Sequence, residues 1–539
     1  MTHPILNAMK NELERTQGRL KSPGHPPAYF ISYLIRQADK FNIWGRYGSI
    51  CKKGKSRKRY CYTDIRVGDP QYDQVTKGGL MDNSDQTESF ELFEIPNSDD
   101  QDVLQFALWR LTDAKYREAV ESYHSRKSRD VSFLDENKKF GSLNLVNADE
   151  SLLTVSELKV DKEHWEKYIE SSSVIPKSYA EIKNSYCDLN VVRQTKFFIS
   201  TEGVVRSWQE DHVSLVCYLW LHTEKADFER SIVINTLSAD ELPDIDTFST
   251  MIHDKIKWMI SLQECAEINS FSGPALLAPQ AAGVLIHEAM GHRLEGSRML
   301  SDDEGRTFKD KIGKKITTHK LSVYDDPSQK KFGDQGMYGY YSFDDEAIPS
   351  QKVQLVEKGV LKNFLSSRAP YQNKHVSNGH GRNQTFERPI SRMGNLMIEP
   401  HDGKSFSELK KDLLELINAQ NKEFGIILMD VQGGETGTEA YDFQAFLGDI
   451  THAIKLNADG TEEIIRGADF VGTPLSSLGN IVEVGDVQEL DNSFCGAESG
   501  NVPVSTVAPA LLLSNLELQT KDTTKMTQYA LPMPWFDKR

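Results

Sequence analysis

The chain has 539 residues, 26% of them charged and 38% hydrophobic, with a formal net charge of −16 and a pI near 5.4. That is the composition of a soluble globular protein with a large core and more than one domain. The acidic balance argues against a general nucleic-acid binder, and no stretch approaches the ~20 consecutive apolar residues of a membrane-spanning helix.

The N-terminal MTHPILNAMKNELERTQ lacks a signal-peptide core. Six cysteines (Cys51, Cys61, Cys187, Cys217, Cys265 and Cys495) are too sparse for a disulfide framework, and no CxxC pair occurs. Reduced thiols in the cytoplasm are the expectation.

Residues 4–17 and 28–41 read as two amphipathic helices separated by KSPGHPP. RYGSI and RYCYTDIRV then flank CKKGKSRK, which reads as a hairpin with a basic tip carrying Lys52, Lys53, Lys55, Arg57, Lys58 and Arg59. Without interleaved aromatics this is a solvated tip rather than a nucleic-acid patch. Residues 99–125 form an amphipathic helix with Val103, Phe106, Ala107, Leu111 and Ala114 on its apolar face. A polar loop over 126–150 and a helix near 155–171 follow. Strands are expected at 188–202, 204–208, 213–222 and 231–236, then a helix over 239–267. SGPALLAP marks the expected domain boundary, giving an N-terminal domain over 1–268 and a C-terminal domain over 269–539. In the second half, QKVQLVEKGVLKNFL and THAIKLNADGTEEIIRG read as hairpins, with one helix near 404–421. The class is α+β: an α/β region with a twisted sheet, then a β-rich domain.

Residues 278–296, APQAAGVLIHEAMGHRLEG, carry the chemistry. Pro279 suits a first helical turn, and Ala282, Leu285, Ile286, Ala289 and Met290 make a core-facing stripe. His287, Glu288 and His292 fall off it. Two imidazoles with a glutamate directly after the first is the ligand-plus-base pattern of zinc hydrolases. The spacing, however, is HExxxH. On an ideal α-helix, residues five apart sit about 140° apart, too far round to share a metal. The helix must loosen over Met290–His292, by a π-bulge or by ending, and Gly291 is the natural place. Cys495, in NSFCGAESG, is either a soft third ligand or an inert buried thiol.

Beyond this motif, the chain resembles the TldD/PmbA family of zinc-dependent peptidases, in its TldD-like catalytic branch. The resemblance rests on ALWRLTDAKYREA, YTDIRVGDPQYD, LIHEAMGHRLEG, FDDEAIPSQKVQLVEKGVLKNFLSSR, NGHGRNQTFERPISRMGN and SFCGAESGNVPVSTVAPALLLSNLEL, in that order. It implies Zn²⁺ held by His287, His292 and Cys495, with Glu288 as general base. It also implies a homodimer or a heterodimer with a PmbA-like subunit, and an extended or unfolded peptide as substrate, paired through its backbone to a strand. The chain departs from the family's pattern at Asn383 and Gln384, in the charged GSRMLSDDEGRTFKDKIGKK and in STEGVVRSW.

The glycine-flanked loop Asn378–Arg382 presents His380, to orient or polarise a scissile carbonyl, and Arg382, to hold a carboxylate. The bland alternative is a structural turn. Arg392 in SRMGN is a weaker candidate of the same kind. Gly433 and Gly434 read as a flexible turn that could line the cleft, and Asp344, Asp345 and Glu346 as a hairpin turn rather than a metal cluster. No P-loop and no strand-following GxGxxG occurs. The expected function is zinc-dependent peptide hydrolysis, with no nucleic-acid or membrane partner. The alternative is a non-catalytic, zinc-stabilised assembly or peptide-binding subunit.

Overall fold

Phe30, Ile31, Tyr33, Ile35, Ile43 and Trp44 give residues Ala28–Arg46 a strong β preference, and in the computed structural model they form one long strand, β1, instead of the expected helix. The structure describes residues 3–21, 23–75, 93–130, 141–224, 226–268, 270–301, 306–371, 376–438, 445–520 and 533–536. β1 pairs antiparallel on one side with β2 (Ser49–Val67) and on the other with β3 (Ile182–Ser200). Two partners along most of its length satisfy the backbone better than a helix with one apolar stripe could. The turn between β1 and β2 is Tyr47–Gly48, both with positive φ, as a two-residue hairpin turn requires. The basic run is therefore no tip. It lies along the exposed half of β2, where Lys53 meets Glu166 at 2.9 Å and Arg57 meets Asp39 at 2.6 Å. Arg59 is buried instead, against Asp99 at 2.6 Å.

β4 (Val204–His222) is unbroken where two strands were expected, and it carries β5 (Asp227–Thr236) on its C-terminal half. With short strands at Glu94–Ile95 and Asp149–Ser151, these form a seven-stranded sheet. Helix α1 (Pro4–Thr16) and α2 (Gln101–Asp130) cover one part of it. On α2 the face is rotated from the expected one: Leu104, Leu108 and Leu111 are buried, while Val103 and Phe106 are exposed. The leucine stripe outweighs the aromatic one. Of the expected polar loop, 126–130 belongs to α2 and 131–140 lies outside the described residues. Helix α3 (Lys162–Val174) and α4 (Ile245–Ser261) pack over the rest. α4 is shorter than the expected 239–267 because Asp244 caps its start and a 3₁₀ turn at Leu262–Glu264 ends it.

At SGPALLAP, Phe271–Leu277 is β6, inside a second, twelve-stranded sheet. Pro279–Ile286 follows as helix α5. The sheet continues with β7 (Leu321–Asp325), β8 (Val353–Glu357) and β9 (Asn395–Pro400). After helix α6 (Phe406–Ala419), capped reciprocally by Ser405 and Glu408, come β10 (Phe424–Thr436), β11 (Phe446–Asn457), β12 (Glu462–Arg466) and β13 (Ala468–Gly472). β14 (Ile481–Ala497) and β15 (Gly500–Thr520) complete it. The two expected hairpins are present, as β8 with Val360–Leu361 and as β11 with β12. β13 pairs with both β11 and β15, so β15–β6–β10–β11–β13 closes into a circuit. Alternation along the strands sends Leu277, Leu428 and Leu511 toward the core around α5, and Leu276, Ile427 and Leu512 toward α6. Both faces are covered, which is why this stretch reads as continuous apolar sequence.

The two sheets meet at buried charges. Asp345 contacts Arg36 at 3.0 Å and Lys196 at 2.8 Å, and these cations hold its carboxyl well below the usual range despite burial. Asp344 accepts hydrogen bonds from the backbone N–H groups of Glu346, Ile348 and Gly381, so the acidic run is a turn, as expected. Asp345→Ala, which leaves buried Arg36 without a carboxylate and Lys196 with Glu210 alone, is expected to cost about 3–5 kcal/mol, seen as a lower denaturant midpoint. The wild-type advantage should fade as pH falls below about 4, because a depressed carboxyl stabilises only while ionised.

Candidate metal centre

α5 packs on β15 and β10, burying Ala282, Leu285 and Ile286 completely. At His287 the helix changes to a π turn, His287–Gly291, followed by a 3₁₀ turn, His292–Leu294. The backbone N–H of His292 donates to the carbonyl of His287, the i→i+5 bond of a π-helix. The added residue in the turn brings positions five apart onto one side, and the imidazoles stand edge to face with centroids 5.0 Å apart. This is the expected distortion, but Gly291 serves it through packing. Its φ is an ordinary −53°, and a Cβ there would lie 2.2 Å from the Met393 sulfur.

β14 delivers the third donor. Cys495 Sγ lies 3.3 Å from His287 Nε2 and 3.4 Å from His292 Nε2, and all three donor atoms fall within 4.8 Å of one another. Two imidazoles and a thiolate suit a borderline-soft dication such as zinc. Burial pushes the Cys495 thiol up, yet His292, Arg392 and His287 outweigh it and hold it well below its ordinary value. Burial also disfavours charged imidazoles, but the Cys495 thiolate raises His287, and together with Glu295 it lifts His292 to about 10. The cluster thus holds protons that a bound cation would displace.

Glu288 is buried beside the cluster, its carboxylate 4.0 Å from His292 Nε2. Gly434 on β10 stands directly against it: a Cβ there would lie 2.7 Å from Glu288 Oε1. Gly433 and Gly434 are not the expected flexible turn but part of a strand with an irregular register between Gln432 and Gly434, and both line the adjoining cavity. The centre opens on a cavity of about 1270 Å³, bounded by β10, β11 and β14 and, on the far side, by β5 and α4. Among the sequence candidates, His287, Glu288, His292, Cys495, Gly433 and Gly434 line it.

His380 and Arg382 do not line this cavity. His380 is fully buried, with Nε2 3.1 Å from Asp325 and Nδ1 2.9 Å from the Asn378 carbonyl. Arg382 donates to the Met393 carbonyl at 2.6 Å and stacks over Tyr341. Both follow the structural-turn alternative.

Two residues outside the motif complete the centre. Arg392, fully buried, donates to Cys495 Sγ at 3.2 Å and to the Cys495 carbonyl at 2.6 Å. Glu295 lies 3.2 Å from His292 Nδ1 and 3.4 Å from Arg392 Nε. Burial alone would raise Glu295, but His292 and its neighbouring arginines hold it at about 2. An anion on the far nitrogen of a ligating histidine fixes its tautomer and orientation. Glu295 was missed from the sequence, although its place three residues after His292 is the signal that could have found it; Arg392 stood out only weakly.

The chain is similar to known proteins over its C-terminal part in sequence and over most of its length in fold. Residues 271–520 match the PmbA/TldA metallopeptidase C-terminal domain. A metalloprotease of Archaeoglobus fulgidus is 33% identical over 234 residues, 43% of this chain and 49% of that protein. The zinc metalloprotease TldD homolog of Saccharolobus solfataricus is 26% identical over 249 residues, 46% of this chain and 51% of that one. The chain spans about half the length of the curated relatives it matches. The crystal structure of TldE from Thermococcus kodakarensis superposes with a TM-score of 0.60, covering 95% of this chain and all of that one at 14% identity, which is a likeness of fold.

Protons on the histidines compete with any divalent cation, so cation affinity is expected to rise between pH 6 and 8, about tenfold per unit for each proton displaced. Competition against a chromogenic chelator at fixed ionic strength measures this, and a pH-independent affinity would refute it.

Proposed function

We propose that this chain, a member of the PmbA/TldD metallopeptidase family through its residues 271–520, hydrolyses extended or unfolded peptides with zinc held by His287, His292 and Cys495. One observation carries the reading: three soft-to-borderline donors converge on the wall of a large cavity, with an uncommitted carboxylate, Glu288, beside them. A structural zinc site is closed by four protein ligands; among the described residues this cluster has three and faces open space.

Bound zinc supplies Lewis-acid polarisation of a peptide carbonyl and of a water molecule. Glu288 takes the proton of the attacking water and returns it to the departing amine. Glu295 holds His292 in one tautomer, and Arg392 neutralises part of the thiolate charge. The cavity provides for an extended chain as well. Along it, β5, the 430–436 part of β10 and the 491–497 part of β14 each have one edge unpaired among the described residues. An extended peptide can add to such an edge through its main chain, with little demand on its sequence. The reading includes a dimer, with itself or with a PmbA-like subunit, and a reducing cytoplasmic setting in keeping with six free cysteines.

Glu288→Gln is expected to retain zinc and lose peptide hydrolysis by at least about 100-fold, assayed on an unfolded peptide mixture alongside metal content. Wild-type rates in the metal-loaded variant would refute the mechanism. Gly434→Ala should push the Glu288 side chain aside and lower kcat by about 10- to 100-fold with zinc content unchanged.

A further inference from the structure

Arg230, on β5, is a cation in the cavity wall with no ion-pair partner among the described residues. Arg36, Arg66, Arg298, Arg368, Arg388 and Arg392 are all buried or nearly so, and each meets a carboxylate within 3.4 Å. Arg230 has no such partner among the described residues. Its Nη1 donates to its neighbour's carbonyl, that of Glu229, at 2.7 Å. Its guanidinium lies 5.3 Å from the Phe228 ring centroid, and its Nε is buried with no hydrogen-bond partner. Asp430, across the cavity, is taken by Lys255 at 3.7 Å. Burial lowers the Arg230 pKa, and Asp449 and Asp430 offset this only from a distance. A planar fork of donors lacking its carboxylate is a site for one.

Its position relates it to the metal centre. Next to it, Ser231 Oγ accepts from Gln432 Nε2 at 3.1 Å. Gln432 precedes by two residues Gly434, the residue pressed against Glu288. Arg230 and Glu288 thus line the same cavity, on either side of the Gln432–Gly434 segment.

We propose that Arg230 binds the C-terminal carboxylate of the peptide, so that the chain releases short C-terminal fragments, on the order of two to four residues. This rests on the peptidase reading. The bond broken is the peptide C–N: the water oxygen and one hydrogen go to the carbonyl carbon as the new acid, and the second hydrogen goes to the amine of the released fragment. The fragment keeps the original carboxylate on Arg230. A side-chain carboxylate offers the same chemistry, and the peptides in the test separate the two.

The test uses the zinc-loaded protein and one peptide sequence in three forms: free acid, C-terminal amide, and amide with an added Asp near its end. Wild type is expected to cleave the free acid with kcat/KM at least about tenfold above either amide, releasing short C-terminal fragments by mass spectrometry. Arg230→Gln should erase that preference, chiefly through KM, and Arg230→Lys should keep part of it, both with wild-type melting temperatures. Indifference of the wild type to amidation, or restoration of cleavage by the added Asp, overturns the assignment. Should the wild type cleave no peptide, the peptidase reading fails, while binding of the same N-terminally labelled peptides still decides the anchor. Tighter binding of the free acid that Arg230→Gln abolishes supports it, and equal or absent binding refutes it.

Discussion

An anionic sulfur in a protein interior is costly unless positive charge surrounds it, and the C-terminal half is organised around that requirement at Cys495. His287 and His292 approach the sulfur from one side and Arg392 from the other. Arg392 in turn meets Glu295, Glu295 meets His292 and Arg298, and Arg298 meets Glu498. Charges alternate outward from the thiolate, so each is compensated by its neighbours. A dication at the centre fits this pattern by replacing histidine protons, which makes metal and protons direct competitors.

Holding such a cluster demands rigid supports. Cys495 sits in a long antiparallel pair, opposite Val502, and the histidines sit at the end of a helix buried between β10 and β15. The π turn between them survives because Gly291 lets the backbone close on Met393. A side chain there would have to displace the Met393 thioether or the turn itself. The wall opposite the metal centre comes from the other sheet. β5 and α4 reach across through Asn235 to Asn492, Ser231 to Gln432 and Lys255 to Asp430. The cavity and its charged lining therefore belong to neither sheet alone.

Legibility followed the range of the interactions. The distortion at Met290–His292 could be read from a five-residue spacing, because the misfit of that spacing with 3.6 residues per turn is local geometry. Helix α6 and the β11–β12 hairpin were legible because both are built from local sequence pattern. β1 was misread because its aromatic and apolar residues also satisfy a helical stripe, and only pairing with β2 and β3 decides between them. The loop holding His380 and Arg382 looked catalytic because glycines flank a histidine and an arginine. Its burial depends on Asp325, 55 positions from His380, and on Met393, 11 positions from Arg382, together with Tyr341, contacts that exist only once β7 and β9 are paired.

By itself the sequence determined the α+β class, the HExxxH helix with its forced irregularity, and the residue types able to bind a metal, all consequences of periodicity and side-chain chemistry over a few turns. The tertiary structure alone decided that Cys495 comes within 4.8 Å of both histidines, that Arg392 and Glu295 complete the charge pattern, and that Arg230 lines the same cavity with no ion-pair partner among the described residues. Cys495 and Arg392 meet the metal helix from segments remote in sequence, and that geometry exists only once both sheets have closed around the cavity.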